Sequence, residues 1–110
     1  MNVIKSSGNI SKKDMFNMTE GGSSNKMSDA IGQTLDMAGW ILYETEDSKG
    51  QTVTALAVIE KNGLISSTIS ETFIKQFNKI LDFMDGEDFN LKVIGGTSKN
   101  GRQFVTCEIA

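Results

Sequence analysis

The stretch TISETFIKQFNKILDFMDG, residues 68–86, decides how the rest of this chain is interpreted. Its apolar residues recur at the three- and four-residue spacing of one helix face. Thr68 and Glu71 have the spacing of a capping box, and Gly86 is of the type that ends helices, so we expect a helix over residues 69–85. The side chains expected in the core are Phe73, Phe77, Ile80 and Leu81.

The segments on both sides of this helix alternate between apolar and polar residues, which is typical of strands. Three predicted strands precede it and two follow it, and turn residues such as Asn62-Gly63 separate them. The element order is therefore strand, strand, strand, helix, strand, strand. The predicted strands cover residues 35–44, 52–60, 64–67, 89–93 and 103–110.

This order predicts a mostly β fold, an OB-like five-stranded antiparallel barrel with one helix between its third and fourth strands. A helix layered on an open antiparallel sheet has the same order and remains an alternative. We favour the barrel because closure hides the edge strands of a small sheet. The predicted domain covers residues 34–110.

Residues 1–33 have a different composition, rich in Ser, Asn, Gly and Met. Gly21–Asn25 predicts a flexible loop, and Ser11 is placed to cap a short turn of helix that includes Met18. We expect these residues to form a flexible N-terminal arm that buries little apolar surface.

Composition argues against most enzyme classes. The chain has no histidine and one cysteine, Cys107, so zinc sites and histidine bases are excluded and no disulfide can form within it. Its 14 Asp and Glu residues are scattered, without a metal-loop pattern. We expect a binding protein without catalytic residues, metal or cofactor. With neither signal peptide nor membrane span recognised, a reducing cytoplasm is the expected location, and Cys107 is expected in the core.

Charge placement is more informative than the net charge of −3. Residues 89–103 contain three basic residues and no acidic one, and residues 1–13 show the same imbalance. Acidic residues concentrate in 44–47 and 82–88, where solvated surface is the favoured interpretation. Two basic surfaces on an acidic protein leave nucleic acid open as a ligand.

The stretch GGTSKNGR, residues 95–102, joins the last two predicted strands through a glycine-rich turn. Lys99 and Arg102 flank Asn100-Gly101, and we expect the glycines to expose backbone N–H groups to a phosphate. An ordinary hairpin loop, with Lys and Gly present for turn geometry and solubility, is the alternative.

Aromatic residues supply the second feature expected of a single-strand binder. Phe104 is predicted to point away from the core face of Val105 and Cys107, beside positive charge, where a base could stack on its ring. Trp40 and Tyr43 fall on opposite faces of the first strand, so one of them is expected on the ligand side. Core packing is the alternative for Trp40.

Residues 51–110 resemble the small phage-encoded single-stranded-DNA-binding proteins, in particular those of protein-primed tailed phages of Gram-positive bacteria. The resemblance rests on Thr52–Thr54, Asn62-Gly63, Ser67–Thr72 and Phe89–Gly101, and its most specific part is KVIGGTSKNGR, residues 92–102. Residues 1–33 lie outside it, and the chain has fewer aromatics than stacking would use.

The resemblance implies a replication accessory protein in the host bacterial cytoplasm, which coats and protects displaced single strands without sequence preference. Single-stranded DNA, a phage DNA polymerase and further copies of the chain are its candidate partners. The rival hypothesis is a small phage protein that modulates a host enzyme through its acidic surface. The candidate DNA-binding residues are Lys92, Lys99, Asn100, Arg102, Phe104, Trp40, Tyr43, Lys12 and Lys13.

Overall fold

The computed structural model describes residues 2–22 and 24–110; Met1 and Ser23, which fall in the predicted arm and its loop, lie outside the described residues. The fold is mostly β, with 43% strand and 24% helix. Its helices are α1 (Lys12–Thr19), α2 (Glu71–Met84) and a 3-10 turn, Met27–Ala30. Its strands are β1 (Asn2–Ser6), β2 (Asn25–Lys26), β3 (Thr34–Leu35), β4 (Met37–Glu46), β5 (Thr52–Glu60), β6 (Ile65–Thr68), β7 (Leu91–Thr97) and β8 (Gln103–Ile109).

The strands form two sheets. One has five strands in the order β1-β4-β5-β6-β2, and the other has three in the order β3-β7-β8. Among the described strands, all pairs are antiparallel except the short parallel pair of β2 with β6. Asp36 alone separates β3 from β4, so one stretch of chain enters both sheets.

The described strands do not close into a barrel. Closure would need β6 to pair with β8, but β2 occupies the free edge of β6, where Asn25 and Lys26 lie opposite Ser66 and Ser67. β8 ends its own sheet, and α2 packs against it. The prediction of a mostly β, antiparallel fold is confirmed, whereas the barrel is not.

Two apolar clusters lie on opposite faces of β4 and β5. The inner cluster contains α2, with Phe73 and Phe77 fully buried against Leu56. The outer cluster lies between these strands and α1, and Met18 of α1 and Ile41 of β4 are both buried in it. Alternation along a strand sends neighbouring side chains to opposite faces, so each strand serves both clusters.

The helix predicted over 69–85 is α2, two residues shorter at its start and one at its end. Ser70, not Thr68, is the N-cap: its Oγ accepts a hydrogen bond from the Phe73 N–H at 3.3 Å. Thr68 Oγ1 instead accepts from the Ser70 N–H at 3.0 Å and holds the turn before the helix. Three of the four predicted core residues are buried, and Leu81 is half-buried.

The expectation that residues 1–33 bury little apolar surface is wrong. β1 pairs with β4, and α1 begins at its predicted cap, where Ser11 Oγ accepts from the Asp14 N–H at 3.1 Å. Met18 and Met27 are 2% and 1% exposed, one in each cluster. The sequence did not predict this burial, because each methionine is a single apolar residue among polar ones and forms no periodic pattern with its neighbours.

Candidate nucleic-acid interface

The β7–β8 hairpin carries most of the predicted DNA-binding residues, and its turn is shorter than expected. Gly95, Gly96 and Thr97 belong to β7, which pairs in register with β8 as far as Thr97 opposite Gln103. The turn is closed by the Ser98 N–H, which donates to the Arg102 carbonyl at 2.8 Å. The long flexible loop predicted over residues 95–102 is therefore wrong.

The two glycines have a packing role that the sequence did not reveal. A Cβ on Gly95 would lie 3.0 Å from Ile31 Cδ1, and one on Gly96 would lie 2.9 Å from Phe104 Cε1. The space that a side chain would fill is occupied by these two neighbours. The glycines thus serve close packing in a paired strand rather than an open phosphate cradle.

Phe104 lies where its strand parity predicted. Gly96 is its cross-strand partner, and a phenyl ring that covers a cross-strand glycine is a known way to stabilise a sheet edge. The ring remains 39% exposed. It can offer one face to a base while its other face packs on β7.

The charges of the hairpin are mainly positive. Lys99, Asn100 and Arg102 are exposed at the turn, and Lys92 is exposed on the same hairpin face as Phe104. Glu108 lies directly opposite Lys92 and is the one acidic residue in 91–110. The structure thus brings Lys92, Lys99, Asn100, Arg102 and Phe104 together on one hairpin.

Trp40 lies elsewhere, in the inner cluster. Its ring contacts Phe77 edge to face, with 5.5 Å between ring centroids, and Phe77 in turn contacts Phe89. The half-buried indole also lines a cavity of about 590 Å³ with Met84. Core packing, the alternative considered for Trp40, describes this position.

Tyr43 lies on the opposite face of β4 and is only 6% exposed. It belongs to the outer cluster with Met18 and Ala55. Burial, and to a lesser degree the nearby Glu20 carboxylate, raise the pKa of its phenol above the usual value. The prediction that these two aromatics point to opposite faces is confirmed, but neither lies on the Phe104 face of the hairpin.

Lys12 and Lys13 are exposed in the first turn of α1, which packs on β4 and β5. The hairpin instead contacts β3 and α2. These two lysines therefore belong to a different surface from Lys99 and Arg102.

A groove on the outer face of the larger sheet escaped the sequence analysis. It measures about 380 Å³, and Lys26 lies beside Tyr43, Ala55 and Ser67 along it. Val105 of β8 also lines the groove and connects it to the hairpin. Lys26 gave no sequence signal because its neighbours in the groove come from distant strands.

Cys107 is a core residue, as predicted. It is 1% exposed, and its thiol donates a weak hydrogen bond to the Phe73 carbonyl at 3.9 Å. Burial raises the pKa of the thiol to about 12. The side chain is therefore protonated at neutral pH and suited to packing rather than nucleophilic chemistry.

Over residues 2–22 and 24–110, no helix is long and apolar enough to cross a membrane. The same residues contain no group of three or more His, Cys, Asp or Glu side chains placed to hold a metal ion.

No family model, curated protein or solved structure matches this chain. The resemblance to phage proteins therefore rests on the quoted residues, and the geometry of the hairpin has to carry the functional argument.

Proposed function

We propose that this chain binds single-stranded DNA without sequence preference, through the outer face and turn of the β7–β8 hairpin. The observation that carries the proposal is the placement of a half-exposed aromatic ring, Phe104, on a hairpin with Lys92, Lys99 and Arg102. Cations follow the phosphate backbone, and bases stack on the ring. Neither contact reads base identity, so all sequences bind alike.

The strand connections support an open version of the OB fold. β4 pairs with β5, β5 with β6, β3 with β7 and β7 with β8. These are the strand pairs of an OB barrel, apart from the β6–β8 pair that would close it. The OB fold binds oligonucleotides on its second and third strands and on the loops after its first and fourth. In this chain those elements are β5, β6, the β4–β5 turn and the β7–β8 turn.

Together with the resemblance, this site supports a role as a coating protein of phage DNA replication. Molecules bound along a displaced strand protect it from nucleases and remove its secondary structure ahead of a polymerase. A non-enzymatic role of this kind needs only the phosphate and base contacts described above.

The proposal is tested by fluorescence anisotropy of labelled single-stranded and duplex oligonucleotides at low salt. We expect the single strand to bind more tightly, and Phe104→Ala to weaken that binding by about 1–3 kcal/mol. Ile109→Ala is the matched control, because Ile109 is 40% exposed against 39% for Phe104 but faces the other side of β8. A folded Phe104→Ala protein that binds as tightly as the parent would contradict the stacking role.

A second function, protein binding through the acidic surface, is favoured by one observation. Phe83 is 80% exposed on α2 and is flanked by Asp82 and Asp85, with Glu87 and Asp88 just beyond the helix. An exposed aromatic among carboxylates suits a basic partner protein. Retention on single-stranded-DNA cellulose at low salt, with release as salt rises, separates the two functions, since a protein-binding module would flow through.

A further inference from the structure

The acidic end of α2, which comprises Asp82, Phe83 and Asp85, presents an aromatic ring to solvent. Phe83 is 80% exposed, more than any other large apolar side chain in the described part of the chain. Asp82 and Asp85 on either side of it are also exposed. The last turn of α2 contains no basic residue, so no cation of that turn complements the negative C-terminal end of the helix dipole. This end of the helix therefore offers an apolar ring among negative charges.

A groove of the opposite character lies between β1, β4 and β5 on one side and the first half of α2 on the other. This basic groove measures about 710 Å³, and its walls include the buried Leu42 and Ile74. Ile4 and Ile69 also line it, and they are 51% and 53% exposed. Apolar side chains that stay open to solvent around a groove favour its occupation by an apolar group.

The charges at the basic groove complement those at the acidic end of α2. Lys5 of β1 and Lys75 of α2 are exposed and line the groove, and Glu71 is the one acidic residue of its lining. No ion pair among the described residues includes either lysine. The same holds there for Asp82 and Asp85. Both surfaces thus carry charges that the described part of the chain leaves unpaired.

We propose that the acidic end of α2 in one molecule docks into the basic groove of a second copy of this chain. Phe83 enters between the apolar walls of the groove, and its two neighbouring aspartates pair with the two lysines that line it. Exposed ion pairs contribute little affinity by themselves, so the ring supplies most of it and the charges determine which surfaces meet. Because the two surfaces differ, a head-to-tail contact leaves one of each kind free for further copies.

A second copy would be the basic partner of the acidic surface considered above as a second function, and the contact does not depend on DNA binding. It is therefore tested without DNA, by sedimentation of the parent protein over a range of concentrations at low salt. We expect the average mass to rise above that of one chain with concentration, and less so as salt screens the charges. A parent protein that keeps the mass of one chain at every concentration would overturn the proposal and leave the acidic end of α2 for a basic partner of another kind.

Phe83→Ala tests the apolar contact from a position outside the core. We expect this variant to associate about thirtyfold more weakly, the size of a hot-spot loss at an interface. Phe16→Ala is the matched control, because Phe16 is 60% exposed on α1, outside both surfaces. The control should associate as the parent does. Equal association by Phe83→Ala would show that the ring does not enter the groove and would overturn the proposal.

Charge exchange tests which surfaces meet. Asp82→Lys/Asp85→Lys makes both surfaces basic, and Lys5→Glu/Lys75→Glu makes both acidic, so each variant should keep the mass of one chain. The protein with all four changes has the charges exchanged between the surfaces at the parent's net charge of −3, and it should associate again. Melting temperatures check the fold of each variant, since Asp85 has a φ of 46°. A folded fourfold variant that does not associate, or a double variant that associates as the parent does, would overturn the proposal.

Discussion

The position of the Phe104 ring depends on the absence of a side chain at its cross-strand partner, Gly96. The ring lies over the glycine, in the space where a Cβ would stand, and this contact sets the orientation of the ring on the outer face. Any side chain at Gly96 must push the ring away from β7. The base-stacking role proposed for Phe104 therefore depends on Gly96, which holds the ring in place.

This dependence predicts that Gly96→Ala weakens single-strand binding nearly as much as Phe104→Ala does. Because the glycine acts through the ring, the double variant should be little weaker than Phe104→Ala alone. Anisotropy titrations of the four proteins measure the coupling. Fully additive losses would show that the glycine affects binding by another route.

Because of Cys107, we expect the free energy of unfolding to fall as the pH becomes alkaline. Below the unfolded value of 9.0 the thiol is protonated in both states; above it the unfolded state loses its proton first, so stability falls toward the folded pKa of about 12. The buried Tyr43 phenol, whose pKa is also raised, acts in the same direction at higher pH.

Urea unfolding at pH 7 and at about pH 10.5 would measure this loss, with Cys107→Ala as the comparison. The variant should lose less stability between the two pH values than the parent. An equal loss in both proteins would assign the alkaline instability to other groups.

At the scale of elements, the packing of α1 on the larger sheet is the least expected feature. The helix covers the apolar outer face of β4 and β5, the side on which an OB fold would present part of its ligand surface. For the proposed function, ligand contacts are therefore expected at the hairpin and at the groove beside Lys26. Within the described residues, the N-terminal segment forms an additional layer that packs on the larger sheet.

Met18→Ala should then cost about 2–5 kcal/mol of unfolding free energy, as for other buried methionines. Phe16→Ala is the control on the same helix, because Phe16 is 60% exposed. Chemical denaturation measures both variants. If Met18→Ala were as stable as Phe16→Ala, α1 would not pack on the sheet in solution.

At the scale of the whole molecule, the sequence predicted features that rest on local periodicity. The face of α2, the outward Phe104 and the buried Cys107 follow from residue spacing, and these predictions are confirmed. Two features depend on contacts between distant residues, such as Lys26 with Ser67. They are the lack of a closing β6–β8 pair among the described strands and the packing of the N-terminal segment. A single sequence carries no periodic signal for such contacts.

For the candidate site as well, local features were predictable from the sequence and contacts between distant residues were not. The charges of the hairpin turn were visible in the sequence, but the roles of Gly95 and Gly96 were misassigned because Ile31 and Phe104 occupy their Cβ positions. For Trp40 the sequence left both base stacking and core packing open. Strand parity shows which face of the strand the side chain lies on, but not what packs against that face. Its contact with Phe77 is a tertiary property.

The central claim is that the hairpin turn contacts the phosphates of any single strand. The most direct test is the slope of log K against log salt for the parent and for a Lys99→Ala/Arg102→Ala variant. Each lost single-strand phosphate contact lowers the slope by about 0.7, so the double change should lower it by up to about 1.4 and weaken all sequences alike.

Lys61→Ala/Lys79→Ala removes the same charge from exposed positions outside the hairpin and controls for net charge. This control should retain nearly the parent slope, while the hairpin variant should not. A folded Lys99→Ala/Arg102→Ala protein with the affinity and slope of the parent would contradict the account, and the binding surface would then have to be sought on β5 and β6.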